Sequence, residues 1–258
     1  MSYFSQKGQG APMAYASTST DLSLATLTGS AYSTPDGREF ALIQNGGTAL
    51  VSGVLVQGPV AIGANHTGLT ASTQAVGDTA LTVTLGGTAV TKNQYAGGFV
   101  VISAGTGIGQ TLQIASHPAQ ATTTGTVVLT LADPITVATL TTDSKASLVL
   151  PRYGSANGVD VRTSGCVVCP VTLTGPVIGV TTGPIAASTT TVPTYGFIQT
   201  KGVVACLNDA NTAIGLDVMP SSNTAGAVMT YVAATSSRVG TSTVAGATTK
   251  ALPITLQL

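Results

Sequence analysis

Apolar and polar residues alternate along much of the chain in short runs. Residues 81–85, Leu81-Thr82-Val83-Thr84-Leu85, set one apolar face against one threonine face, and Leu129-Thr130-Leu131 does the same. A period of two is the signature of a strand with one buried face, and threonine, β-branched, suits the half-exposed side. Runs of this kind predict strands over residues 39–43, 49–56, 60–62, 80–85, 99–103, 111–115, 126–132 and 147–150. Further strands are predicted over 166–172, 177–181, 196–200, 203–207, 217–220, 226–232, 238–240 and 253–258. Asn45-Gly46-Gly47 and Gly58-Pro59 punctuate the early runs. An Asn-Gly pair between apolar runs predicts a hairpin, since both residues tolerate the positive φ of its turn. No segment carries a helical period with caps. The nearest is a turn or so at residues 92–96. The pattern predicts an all-β protein with short-stranded sandwich or barrel units and almost no helix.

Four stretches follow from the same pattern. Residues 1–34 are polar, rich in small side chains and without period, which predicts an extended arm ordered only against a partner. Residues 35–152 read as the main β domain. Residues 153–191, rich in Gly, Pro, Thr and Val, read as a connector with one or two strands. Residues 192–258 read as a small C-terminal barrel or sandwich. The resemblance between residues 80–84 and 127–131 involves only two strands and makes no repeat.

Composition sharpens this picture. Charged residues are 7% of the 258, against about 25% in an ordinary soluble domain. Threonine and serine must therefore supply the solvated surface, and such a surface sheds few charges on assembly. Nine basic and nine acidic residues cancel and are scattered. That excludes the basic stripe of a nucleic-acid binder and the polybasic patch of a protein held on anionic lipid. No window approaches the ~18 uninterrupted apolar residues of a membrane span, and Pro170, Gly175, Pro176 and Gly179 interrupt the most apolar stretch. Aromatics, at 4%, are too few for the girdles of an outer-membrane barrel. Residues 1–10 hold one cation, Lys7, with no apolar run behind it. They do not read as a secretory signal, so the chain is expected to be made in, and stay in, a cytoplasm until it assembles.

Few residues could carry chemistry. The only histidines are His66 and His117. No Gly-x-Ser-x-Gly elbow accompanies them, and Pro118 marks His117 as a loop residue bonded to nearby backbone. Four of the nine carboxylates sit beside Gly, Pro or Asn, in Pro35-Asp36-Gly37, Gly77-Asp78, Ala132-Asp133-Pro134 and Asn208-Asp209. Asp at such places shapes turns. A glycosidase pair would need two carboxyls facing one groove, and aromatic sugar platforms are scarce. Cys166-Val167-Val168-Cys169 has the spacing of half a zinc site, but a strand sends residues three apart to opposite faces. Buried thiols are the expectation, with Cys206 a third. Gly105-Thr106-Gly107-Ile108-Gly109 lacks the Lys-Ser/Thr ending of a phosphate loop and reads as a hairpin turn. Asn65-His66-Thr67 fits a glycosylation pattern that has meaning only in a eukaryotic secretory route. No catalytic residue, cofactor or metal ligand is assigned, and the chain is expected not to be an enzyme.

Several blocks occur in a telling order: Asn65-His66, Val83-Thr84-Leu85-Gly86, Asn93-Gln94-Tyr95-Ala96-Gly97-Gly98, Ser116-His117-Pro118-Ala119, Leu131-Ala132-Asp133-Pro134-Ile135 and Tyr195-Gly196-Phe197-Ile198-Gln199-Thr200-Lys201-Gly202. Spread over residues 38–258, they resemble structural proteins of tailed bacteriophages from environmental viruses, similar in role to capsid decoration, or cement, proteins. The family often has Trp where Phe197 stands. The resemblance implies a virion protein on the outer face of the capsid, clamping neighbouring major capsid proteins, often as a homotrimer, and it brings no catalytic residues. The alternative is a tail- or fibre-associated β protein that binds a host-cell glycan, for which long repeats or Trp and Tyr clusters would be expected. Tyr195, Phe197 and Tyr231 hold much of the scarce aromatic surface of the C-terminal part and are the candidate interface anchors. The competing role for each is core.

Overall fold

The structure is a computed structural model, and it describes residues 19–20, 24, 27–154, 163–232, 237–248 and 250–258. Sixteen strands make two sheets, and no α-helix occurs among the described residues. No helix there is long and apolar enough to cross a membrane.

One sheet is built from a single stretch of chain. Its strands are β4 (Leu69–Thr70), β5 (Ala80–Thr84), β6 (Phe99–Ala104), β7 (Thr111–Ser116), β8 (Thr126–Leu131) and β9 (Lys145–Val149), in the order β4-β9-β6-β7-β8-β5. A further bridge between Ala71 and Val83 joins the two ends, with Ser72 N–H donating to Thr82 O at 2.8 Å. The six strands thus curl into a nearly closed barrel, which leaves almost no edge to pair with another chain. Alternation decides what fills it. In β5, β7 and β8 every second residue is buried, and Leu81, Val83, Leu112, Ile114, Val127, Leu129 and Leu131 form one core with Val100, Ile102 and Tyr95. The glycine-rich run 105–109 is the β6–β7 hairpin turn, as predicted. Gly105 has φ +76°, and a Cβ there would clash with the backbone carbonyl of Asp143, so only glycine fits.

The other sheet draws on both ends of the chain. It contains β1 (Ala31–Ser33), β2 (Glu39–Asn45), β3 (Leu55–Gln57), β10 (Val167–Val168), β11 (Val177–Thr181), β12 (Thr194–Leu207), β13 (Asp217–Pro220), β14 (Val228–Thr230), β15 (Gly240–Ser242) and β16 (Ala251–Gln257). The 14-residue β12 is its spine. The first half of β12 pairs with β2 from Thr194↔Asn45 to Lys201↔Glu39, and the second half pairs with β16 from Lys201↔Gln257 to Leu207↔Ala251. Between the halves the register slips by one residue, and Gly202 takes φ +86°. The two predicted strands at 196–200 and 203–207 are thus one strand with a bulge.

Strands β2 and β11 and the first half of β12 are buried on both faces. Ala41, Ile43 and Ile198 enter a core with Leu50, Val56, Cys166, Ile178 and Ile185. The alternate residues Phe40, Leu42, Tyr195 and Phe197 enter a second core, covered by Leu24, Leu27 and Tyr32. A third core, under β12 to β16, holds Cys169, Val204, Cys206, Val218, Leu252 and Ile254.

This topology corrects the predicted divisions of the chain. The main domain, 35–152, is split: its first strands belong to the sheet that contains residues 192–258, and only the stretch from β4 to β9 forms the barrel. The stretch 153–191 is more than a connector, since fully buried β11 lies between β3 and β12. Of the expected arm, residues 1–18, 21–23 and 25–26 lie outside the described residues. The rest is held by its own chain: Ser19 forms a β-bridge with Tyr195, Leu24 is buried, and β1 pairs with β2. The physical reason is the apolar layer of Phe40, Leu42 and Phe197, which the sparse apolar residues of this stretch cover.

The Asn45-Gly46-Gly47 hairpin is also corrected, because β2 and β3 do not pair. Asn45 is instead a buried tie: its side-chain amide donates to Ala186 O at 2.8 Å and Thr48 O at 2.9 Å, and its backbone carbonyl accepts from Ser188 Oγ at 2.6 Å. The predicted strand 60–62 is irregular, and residues 92–96 form turns rather than a helix.

Candidate assembly surface

Of the three residues nominated for an interface, two are buried within the chain itself and the third lies apart from them. Tyr195 is fully buried and Phe197 is 7% exposed, both within the aromatic layer just described. The Tyr32 ring meets Phe197 edge-on, with centroids 5.4 Å apart. The core role is the correct one for both, since β12 is covered on each face. Tyr231 lies apart from them, beyond the end of β14 and half-buried, with its N–H donating to Asp217 O at 2.8 Å.

Solvent meets a different aromatic. Phe99 opens β6 on the outer face of the barrel and is 41% exposed, whereas Phe40 and Phe197 are buried. Its cross-strand partners are Val149 on β9, also exposed, and Gln113 on β7. Val101 follows on the same face, opposite Ser147 and Thr111. Toward β8 and β5 the face continues as Thr126, Val128, Thr130 and Thr82. Lys145 is the single charged residue in the six barrel strands, and its ammonium donates to Thr70 Oγ1 at 3.0 Å. The face is thus a nearly uncharged, hydroxyl-rich surface on which Phe99, Val128 and Val149 are exposed apolar groups. Sequence reasoning missed Phe99 because Phe99-Val100-Val101-Ile102 is apolar on both faces, and pattern alone does not tell which face turns outward.

The chemistry-bearing residues are used for structure. Asp78 accepts from Ala75 N–H at 2.8 Å, Asp143 from Thr106 N–H at 3.0 Å, and Asp209 from Thr224 Oγ1 at 2.7 Å. These bonds hold the Asp143 and Asp209 carboxyls below the usual carboxylate range, the largest contributions coming from the hydroxyls of Thr106 and Ser221. Asp36 is lowered in the same way by Thr34. Asp21 and Asp160 lie outside the described residues. Cys166 and Cys169 enter different cores, as residues three apart on an extended segment must. Burial pushes the Cys169 thiol up to about 11, Cys206 to about 12, and Cys166 higher still. Among the described residues no three His, Cys, Asp or Glu side chains converge as metal ligands.

A groove of about 410 Å³ lies where residues 60–62, 88–94 and 163–167 meet, and Thr88, Thr91, Gln94 and Thr163 are its polar lining residues. None of its described lining residues is titratable. Comparison of the chain with protein-family models, curated proteins and solved structures finds no match.

Proposed function

We propose that this chain is a structural virion protein that decorates and cements the outer surface of a tailed-phage capsid, binding the major capsid protein and copies of itself as a homotrimer. The observation that carries the reading is the outer face of the barrel. Its strands carry no charged residue but Lys145, and it presents the one exposed Phe among those described. Docking such a face desolvates hydroxyls and apolar groups rather than ions. Burying the exposed part of Phe99 contributes on the order of 1 kcal/mol per copy, and repetition over a lattice multiplies a weak contact. The resemblance of the ordered sequence blocks to phage structural proteins is in keeping with the same reading, as is a formal net charge of zero, which suits neither nucleic acid nor an anionic membrane. In this reading the protein assembles in the bacterial host cytoplasm and ends on the outside of the particle.

The test is a binding experiment with undecorated particles of the parent virus, followed by a medium-resolution map. Copies in the hundreds per particle, seated by the barrel face and retained in molar salt, are the expected result. Phe99→Ser should fold as the wild type does and lose most of the binding. Absence of the protein from capsids, or release by moderate salt, overturns the reading, because screened charge would then be the grip.

A further inference from the structure

The two histidines of the chain lie far apart in sequence, yet they flank one tyrosine at an end of the barrel core. Tyr95 is fully buried there. His66, from a short 3-10 turn (Ala64–His66), places Nδ1 2.5 Å from the Tyr95 hydroxyl and Nε2 2.8 Å from Thr88 O. His117, just beyond β7, receives the Tyr95 backbone N–H on Nε2 at 3.0 Å, and its Nδ1 lies 2.8 Å from Pro118 O. Asn93 Oδ1 accepts the backbone N–H of His117 at 2.9 Å and closes the loop.

These partners dictate the proton positions. Pro118 O and Thr88 O can only accept, so His117 carries its proton on Nδ1 and His66 on Nε2. The remaining ring nitrogens must be bare. His117 Nε2 accepts a backbone N–H that has no choice but to donate, and His66 Nδ1 accepts the phenol. A second proton has different consequences at the two rings. At His66 the phenol can reverse and accept. At His117 two N–H groups would point at each other across 3.0 Å.

We propose that His66, Tyr95 and His117 form an acid-operated latch, in which protonation of His117 releases the 86–98 segment from the end of the six-stranded barrel while the ten-stranded sheet stays closed. The three segments that meet here, 63–67, 86–98 and 116–120, contain no carboxylate to compensate a new positive charge. Their titratable groups are the two histidines, Tyr95 and exposed Lys92. Each protonated ring also repels the other across Tyr95, whose ring centroid is 5.5 Å from His66 and 6.1 Å from His117. Burial lowers both histidines below their ordinary 6.5, and the His66 charge lowers His117 further. The sign follows. Below pH 6.5 the released segment binds protons that the latched one refuses, so closure weakens as pH falls, until the pH passes the lowered value of the closed form. The ten-stranded sheet has no histidine, so the response is confined to one end of one unit.

The experiment is amide exchange on the full chain at about pH 7.5 and about pH 5, corrected for intrinsic rates, with NMR titration of both imidazoles. Protection of the Tyr95 and Gly97 amides should fall about tenfold or more between these two conditions, while Phe197 on β12 keeps its protection. His117→Gln offers a carbonyl acceptor that does not titrate, and it should hold Tyr95 protection constant. Unchanged Tyr95 protection in the wild type, a His117 that titrates at or above 6.5, or an equal loss in His117→Gln overturns the latch. If the variant fails to fold, the wild-type titration and exchange decide alone.

Discussion

The barrel and the ten-stranded sheet solve the same problem, hiding Val, Leu and Ile in a chain with few charges, by opposite means. The barrel uses one contiguous stretch, buries one face of each strand, and removes its edges by closing on itself through Ala71 and Val83. The sheet collects strands from both ends of the chain and places β2 and β12 between two cores. Closure of the barrel is decided by neighbours. Formation of the sheet waits for β2 to meet β12, some 150 residues later, across a long and entropically costly loop. A local unit and a non-local unit in one chain should therefore respond separately to damage.

The largest expected effect breaks that separation if it is wrong. Phe40→Ala removes the centre of the aromatic layer and should destabilise the sheet by about 3–5 kcal/mol, leaving the barrel's urea transition in place. Leu129→Ala should cost the barrel about 2–5 kcal/mol and leave the sheet alone, and the double variant should show both losses additively. A single transition that shifts in both variants would show that the units unfold as one. Next comes the bulge of the spine. In Gly202→Ala a Cβ at φ +86° would sit 2.9 Å from Arg38 Cγ, so a loss of about 1 kcal/mol or more is expected by thermal melting. Cys169→Ala and Cys206→Ala should each cost about 1 kcal/mol, and both native thiols should resist a disulfide reagent at pH 8 until the sheet unfolds. The smallest effect is at the surface pair Lys201–Glu39, 3.1 Å apart with both side chains exposed; Lys201→Ala should change stability by less than about 1 kcal/mol.

The two units were also unequally legible in the sequence. Alternation in 80–84 and 126–131 names both the strands and the buried residues, because one face of each strand meets water. The Asp turns, the 105–109 hairpin and the all-β class follow from similarly local chemistry. In β2 after Glu39 and at the start of β12 every residue is buried, so period carries no information about which side chain meets which core. That is why Tyr195 and Phe197 read equally well as interface or interior. Asn45 shows the same limit: its Asn-Gly pair is a hairpin signal only when the next strand is the partner, and here the partner is distant β12. The exposed face around Phe99 was hidden for the converse reason, since Phe99 and Val101 are as apolar as the Val100 and Ile102 they alternate with.

The arrangement along β12 has a mechanical consequence. The strands β2 and β16 each lie antiparallel to it, the first over its N-terminal half and the second over its C-terminal half. Ladder hydrogen bonds run across strands, not along them. A pull along the strand axis therefore strains all the bonds of a ladder together in shear, whereas a pull across it peels them one at a time. The molecule should be stiff along β12 and yield from the side, so its tolerance of tension depends on how the spine is oriented to the stress.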